Sequence, residues 1–320
     1  MTTDIPVLNG WRFRFALSTV LVSAIGYVAF SLWAGWDEVH KATLKVGVDV
    51  ILIALLLSLV NYGLRYLRWE WYLAVLGHNI NRLEHIKIYI SGFSLTTTPG
   101  KAGEALRSVF LKRHNISYTD SLAALVSERF SDVVAVLILT GVGISGFPDF
   151  LPIAILFLAA GLFFISITWT PNLSIWLSNK ANGFKGKLHT TLLQIAKIMH
   201  QTHKCNPPKT LVLGSLISII AWGAEAYAFY LILHYMNVEI AISTAIFIYS
   251  MSMLAGAVSF MPGGLGGAEA AMTALLVTSN VDMPQAVAAT VIIRLATLWF
   301  AVLLGGGVLY LLIKPKLTSE

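Results

Sequence analysis

The chain has 320 residues, 57% of them hydrophobic and only 12% charged, with a mean hydropathy of +0.74. A soluble domain carries about a quarter charged residues, so this composition excludes an ordinary soluble protein. The net charge of +6 does not point to nucleic acid, because basic residues gather at the cytoplasmic ends of membrane helices.

Runs of roughly 20 apolar residues recur, the length that crosses a ~30 Å hydrocarbon core as a helix. The ~10-residue alternation of a transmembrane β-barrel is missing. The expected fold class is all-α: a polytopic transmembrane helix bundle forming one membrane domain over 1–320. Six segments read as full spans, at about 15–34, 50–70, 121–146, 151–170, 210–235 and 284–313. The first follows Arg12 and Arg14 like a signal peptide, but no small-x-small cleavage site follows it, so it reads as a retained helix. Basic residues then assign the sides. Arg82, Lys87, Lys101, Arg107, Lys112 and Arg113 put the segment after the second span inside, and Lys314 and Lys316 return the C-terminus there. Both termini are expected in the cytoplasm.

The stretch 171–208 is a cytoplasmic connector in this scheme. Leu188, Leu192, Ile195 and Met199 recur at helical spacing with Lys187 and Lys197 off the stripe. It reads either as a basic amphipathic helix on the inner leaflet or as a plain connector. Within it, His200, His203 and Cys205 are too mixed a set to indicate a metal, and the single cysteine excludes an internal disulfide.

The topology closes only if two apolar regions do not cross. These are 84–113, centred on Pro99-Gly100, and 243–279, centred on Pro262-Gly263. Each reads as two short helices joined by a glycine-rich break, a re-entrant hairpin whose tips hold Pro99, Gly100 and Gly103, and Pro262, Gly263, Gly264 and Gly266. Broken backbone at membrane depth is tolerated only inside protein or beside water. Glu104 and Glu269, and Arg129 and Arg294, stand 165 residues apart. This suggests two inverted repeats, about 50–146 and 210–313, each carrying one hairpin, a pattern that marks a transporter's midplane site.

Charges inside the expected spans are the candidate site. Glu128, Arg129 and Asp132 share one helix face. Each costs about 2.5–3.5 kcal/mol at the centre of a lone helix, so they pair internally or wall a polar cavity. Arg294 needs an anion, either a carboxylate such as Glu269 or Glu225 or a ligand phosphate. Glu104 and Glu269 follow their breaks within a turn, where they cap helices or titrate during transport. Helix N-termini at the breaks and Lys101 suit a phosphate. Arg65 and Arg68 read as side chains reaching the interface beside tryptophans, with a phosphate contact as the alternative.

The runs TPGKAGEALR, SERFSD and MPGGLGGAEA resemble the motifs of the lysylphosphatidylglycerol synthase transmembrane-region family, also called flippase-like proteins. The resemblance covers nearly the whole chain. It carries over Pro99, Gly100, Gly103, Glu104 and Arg107, then Glu128, Arg129 and Asp132, then Pro262, Gly263, Gly264, Gly266 and Glu269. It implies a multi-pass protein of the bacterial or archaeal inner membrane, related to the flippase half of enzymes that aminoacylate phosphatidylglycerol. Those relatives carry a soluble transferase domain after the membrane part, and this chain ends at Glu320.

The expected function is therefore movement of a phospholipid, or a related anionic or aminoacylated lipid, between leaflets. The substrate-binding set is Lys101, Glu104, Arg107, Glu128, Arg129, Asp132, Glu269 and Arg294, with no catalytic residue, cofactor or metal expected. The alternatives are a membrane-embedded enzyme acting on a lipid phosphate, with Thr96, Thr97 and Thr98 as hydroxyl candidates, or a small-solute transporter.

Overall fold

The computed structural model describes residues 36–98, 102–259 and 261–313, with positions 18, 20, 21, 25, 26, 29 and 32 before them. The expected first span lies almost wholly outside these residues. Every described element is helical. In order they are α1 (Trp36–Val75), α2 (Arg82–Ser91), α3 (Ala102–Leu111), α4 (Tyr118–Gly143), α5 (Leu151–Trp169), α6 (Pro171–Ala181), α7 (Lys187–Cys205), α8 (Pro208–Tyr235), α9 (Ile242–Val258), α10 (Gly267–Thr278), α11 (Met283–Arg294) and α12 (Phe300–Ile313).

Three stretches are long and apolar enough to cross a membrane among the described residues: Thr43–Val75, Pro208–Tyr235 and Met283–Ile313. These contain the expected spans at 50–70, 210–235 and 284–313. The last has 72% of its most apolar window buried against 22% for the first, so its neighbours are protein more than lipid. Helix α4 falls outside this group because Asp120, Glu128, Arg129 and Asp132 interrupt its apolar surface.

Helix boundaries follow local chemistry. Ser117 caps α4, accepting from the Asp120 N–H at 3.1 Å. Prolines sit in the first turns of α5, α6 and α11, where a missing N–H costs nothing. Helix α1 ends at Gly77 (φ 86°) and α8 at Asn237 (φ 58°) with the same closure: His78 N–H bonds Leu73 C=O and Val238 N–H bonds Leu233 C=O. The turns before α4 and α11 match in the same way. Asn115 (φ 60°) and Asn280 (φ 62°) lie 165 residues apart, and Ile116 N–H to Leu111 C=O answers Val281 N–H to Leu276 C=O.

The chain forms two compact units. One comprises Met1–Leu59, Ile86–Arg107 and Ala224–Glu320, and the other Val60–His85 and Ser108–Gly223. In the first, α9 and α10 pack as an antiparallel pair around small residues. A Cβ on Gly264 would lie 3.2 Å from the Gly256 backbone, so this turn tolerates only glycine. A 3-10 turn (Gly92–Leu95) precedes the first break, and another (Pro262–Gly264) lies within the second. The breaks meet each other. A Cβ on Gly263 (φ 64°) would stand 3.1 Å from Thr97 Cα. Helices α11 and α12 are joined by a π turn (Leu295–Trp299), with Phe300 N–H bonded to Leu295 C=O. Beyond it, Gly305 lies against the backbone of Ile90, Phe93 and Ser94.

In the second unit, α7 packs on α6 and α4 through buried Ala196, while Leu188 and Ile195 of the expected stripe stay exposed.

A Cβ on Gly305 would stand 2.8 Å from the Ile90 carbonyl oxygen, whereas Gly306 and Gly307 face open space. Gly305→Val should therefore lower stability by about 1–3 kcal/mol through overpacking, read as thermal unfolding in detergent. Gly306→Ala and Gly307→Ala should match or exceed the wild type.

Candidate functional site

Two buried ion-pair clusters stand out among the described residues, one in each unit. In the second unit, α4 presents Glu128, Arg129 and Asp132, and α1 presents Arg65 and Arg68. Asp132 is the centre. Its Oδ1 lies 2.8 Å from Arg68 Nη1 and accepts from Trp222 Nε1 at 3.1 Å; its Oδ2 lies 3.2 Å from Arg129 Nη2 and 3.7 Å from Arg65 Nη2. Arg68 Nη2 stands 3.7 Å from Glu128 Oε1, and its Nη1 also donates to Ser218 Oγ. Tyr72 and Ser131 share a hydroxyl bond of 2.7 Å beside it, and the Arg65 guanidinium lies over the Trp222 ring.

This arrangement corrects the expectation for Arg68. Its side chain is 0% exposed, so it does not reach the interface. The i, i+3 spacing of Arg65 and Arg68 puts both on the α1 face that meets α4, and two carboxylates there outweigh exposure to headgroups. Three guanidiniums and two carboxylates meet in this cluster. Arg129, with its side chain 28% exposed, is the most accessible member.

The second cluster belongs to the first unit. Arg294 Nε donates to Glu269 Oε1 at 2.6 Å, and Nη2 to the Gly263 carbonyl at 3.2 Å. Glu269 Oε2 accepts the Gly266 N–H at 2.7 Å. One arginine and one glutamate thus hold the turn of the second break. Of the two readings of Arg294, the geometry gives the carboxylate partner, and of the two candidates it gives Glu269. Glu225 instead accepts from the Tyr249 hydroxyl at 2.6 Å. Arg107 lies buried with its guanidinium 3.9 Å from the Tyr89 ring centre and 5.6 Å from that of Phe93. These contacts tie α3 to α2 and the turn that follows it.

Pro99, Gly100 and Lys101 lie outside the described residues, as do the side chains of Glu104 and Pro262; Gly103 falls in the first turn of α3. Sequence reasoning missed Arg68, Ser218 and Trp222 as cluster members. The signal was present for Arg68, in the second arginine of LRYLRWEWY. Nothing local marks Ser218 and Trp222, which arrive from α8. No group of three His, Cys, Asp or Glu suited to a metal occurs among the described residues.

With this geometry in hand, residues 14–305 match the family described as the lysylphosphatidylglycerol synthase TM region. The chain belongs to that family. Similar proteins include a UPF0104 membrane protein of Pyrococcus horikoshii, 25% identical over 306 residues, covering 86% of this chain and 90% of the relative. Another, from Methanothermobacter thermautotrophicus, is 24% identical over 315 residues, covering 91% and 90%. A third, from Methanocaldococcus jannaschii, is 22% identical over 343 residues, covering 97% and 98%. Family membership and the apolar helices together establish an integral membrane protein.

Removing Arg68 would take away the buried arginine 2.8 Å from Asp132 and 3.7 Å from Glu128. Arg68→Ala should destabilise by about 3–5 kcal/mol, measured by thermal or denaturant unfolding in detergent. Cys205 is buried with its Sγ 3.8 Å from the Tyr72 carbonyl, and burial pushes its thiol up to about 12. At pH 8 almost no thiolate forms, so iodoacetamide should leave the folded protein unmodified and label it fully once unfolded, by intact-mass measurement.

Proposed function

We propose that the protein moves a phospholipid with an anionic or aminoacylated headgroup between the leaflets of the membrane. The observation that carries this reading is the buried cluster of Arg65, Arg68, Arg129, Glu128 and Asp132, in which the Arg129 side chain is 28% exposed. Charged groups at membrane depth are costly and mark functional sites, and a headgroup phosphate is an anion that lipid itself delivers to an accessible guanidinium. Arg129, the accessible guanidinium, is the first point of contact. The family description supports the lipid class, since it names a lysylated phosphatidylglycerol.

The helix lengths support re-entrant hairpins. Helix α10, with 12 residues, and α3, with 10, reach only about 18 and 15 Å at ~1.5 Å per residue, short of a ~30 Å core. The matched turns at Asn115 and Asn280, and at Gly77 and Asn237, support a repeated architecture. An odd number of crossings between copies makes the repeats inverted, and the basic residues near the ends put both termini in the cytoplasm. Headgroup passage past the hairpins, with acyl chains left in lipid, fits alternating access by one repeat rocking on the other.

The test is dithionite protection of fluorescent phosphatidylglycerol in proteoliposomes. Arg129→Gln should slow movement about tenfold, equivalent to ~1.4 kcal/mol, with unfolding temperature close to wild type. Wild-type rates in that variant would remove the cluster from the lipid's path. Metal-dependent phosphate release would move the reading to an enzyme, and solute uptake without lipid movement to a small-solute transporter.

A further inference from the structure

The segment between α5 and α8 has a composition unlike the rest of the chain. Residues 171–208 hold five lysines and neither aspartate nor glutamate, and charge of one sign attracts anions. The segment folds as α6 and α7, with His189 Nδ1 donating to the Ala181 carbonyl at 2.8 Å across their turn. Helix α7 is also fixed to α4, where Gln201 Nε2 donates to Asp120 Oδ1 at 2.8 Å. Asp120 Oδ2 lies 2.9 Å from His78 Nε2, so this carboxylate is engaged at both oxygens.

These contacts frame a pocket of about 270 Å³. Helix α6 contributes Ser174 and Ser178, α7 contributes Lys197, His200 and Gln201, and the first turn of α4 contributes Thr119. The i, i+3 and i, i+4 spacings set the groups of each helix on one face. All six residue types carry N–H or O–H donors, and none of the described residues lining the pocket is acidic. Donors and a lysine without a carboxylate are complementary to an oxyanion. The volume lies below the ~300–1,000 Å³ of sites for drug-sized molecules, which suits a headgroup rather than a whole lipid. Ile175, also on the pocket wall, is exposed, as is neighbouring Trp176, whose ring centre lies 4.7 Å from Lys180 Nζ. Exposed tryptophan and aliphatic side chains beside lysines mark a surface at a membrane interface.

We propose that this pocket binds the phosphate of an anionic lipid headgroup, with Lys197 supplying the counter-charge and the hydroxyl and amide groups the hydrogen bonds. A soluble phosphate ester carries the same chemistry, and the experiment separates the two sources. The inference goes beyond the lipid-transport reading and does not rest on it, since the pocket requires binding and not movement.

Cys205 is buried, so Ser178→Cys adds one reactive thiol at the pocket wall, and Thr191→Cys adds one on an exposed part of α7 that does not line the pocket. Iodoacetamide labelling of the full chain in detergent would be timed with added phosphatidylglycerol, phosphatidylcholine, glycerol phosphate or inorganic phosphate. Phosphatidylglycerol should slow labelling of Ser178→Cys about fivefold at about four times its Kd. It should leave Thr191→Cys unchanged and lose its effect once Lys197→Gln is added. Lys197 is exposed, so Lys197→Gln should unfold at the wild-type temperature, and Thr119→Cys supplies the thiol should Ser178→Cys fail to fold. Protection by phosphatidylglycerol alone identifies a lipid headgroup; equal protection by the soluble phosphates keeps the pocket and identifies its occupant as soluble. Rates unchanged by every phosphate, protection that survives Lys197→Gln, or equal slowing of Thr191→Cys or by phosphatidylcholine would overturn the pocket. Protection without lipid movement in the dithionite assay would support the pocket and overturn the transport reading alone.

Discussion

Asp132 is the residue on which the second unit depends. Its carboxylate meets three guanidiniums and an indole N–H, joining α1, α4 and α8 at one point. In low dielectric a charge is tolerable only when paired and hydrogen-bonded. Each partner of Asp132 is therefore fixed in place by the cost of its absence. The apolar faces of these helices would pack in several registers; the ionic cluster admits one.

The first unit solves a different problem, that of broken backbone. Glycines at 256, 263, 264 and 305 let chain lie against chain with no side chain between. Arg294 and Glu269 then bond the backbone groups that the second break leaves open, at Gly263 and Gly266. Small residues give proximity and the ion pair gives definition.

Much of this was legible in the sequence, and the reasons for the gaps are physical. Length and hydropathy locate the long apolar helices, and charge inside an apolar run locates Glu128, Arg129 and Asp132, because such placement is too costly to be incidental. The Arg294–Glu269 pair was one of the alternatives the residues allowed. Arg68 was misjudged because near a helix end a free lysine-like reach to water and an inward ion pair look alike until the facing helix is known. Ser218 and Trp222 were invisible for the same reason: they matter only through Arg68 and Asp132, 150 and 90 residues away. The contact of Thr97 with Gly263 lies between breaks 166 residues apart, and no local pattern encodes it.

The π turn at Leu295–Trp299 gives this last span a double allegiance. Arg294 and Gly305 are 11 residues apart, which on an unbroken α-helix at ~100° per residue would set them on nearly the same face. The wider turn, with its i→i+5 bond, winds back about a quarter revolution. Arg294 can thus hold the second break while Gly305 presses on the turn that leads into the first. One helix is keyed to the second break and to the turn before the first by a single surplus residue, and its rotation would be felt at both together.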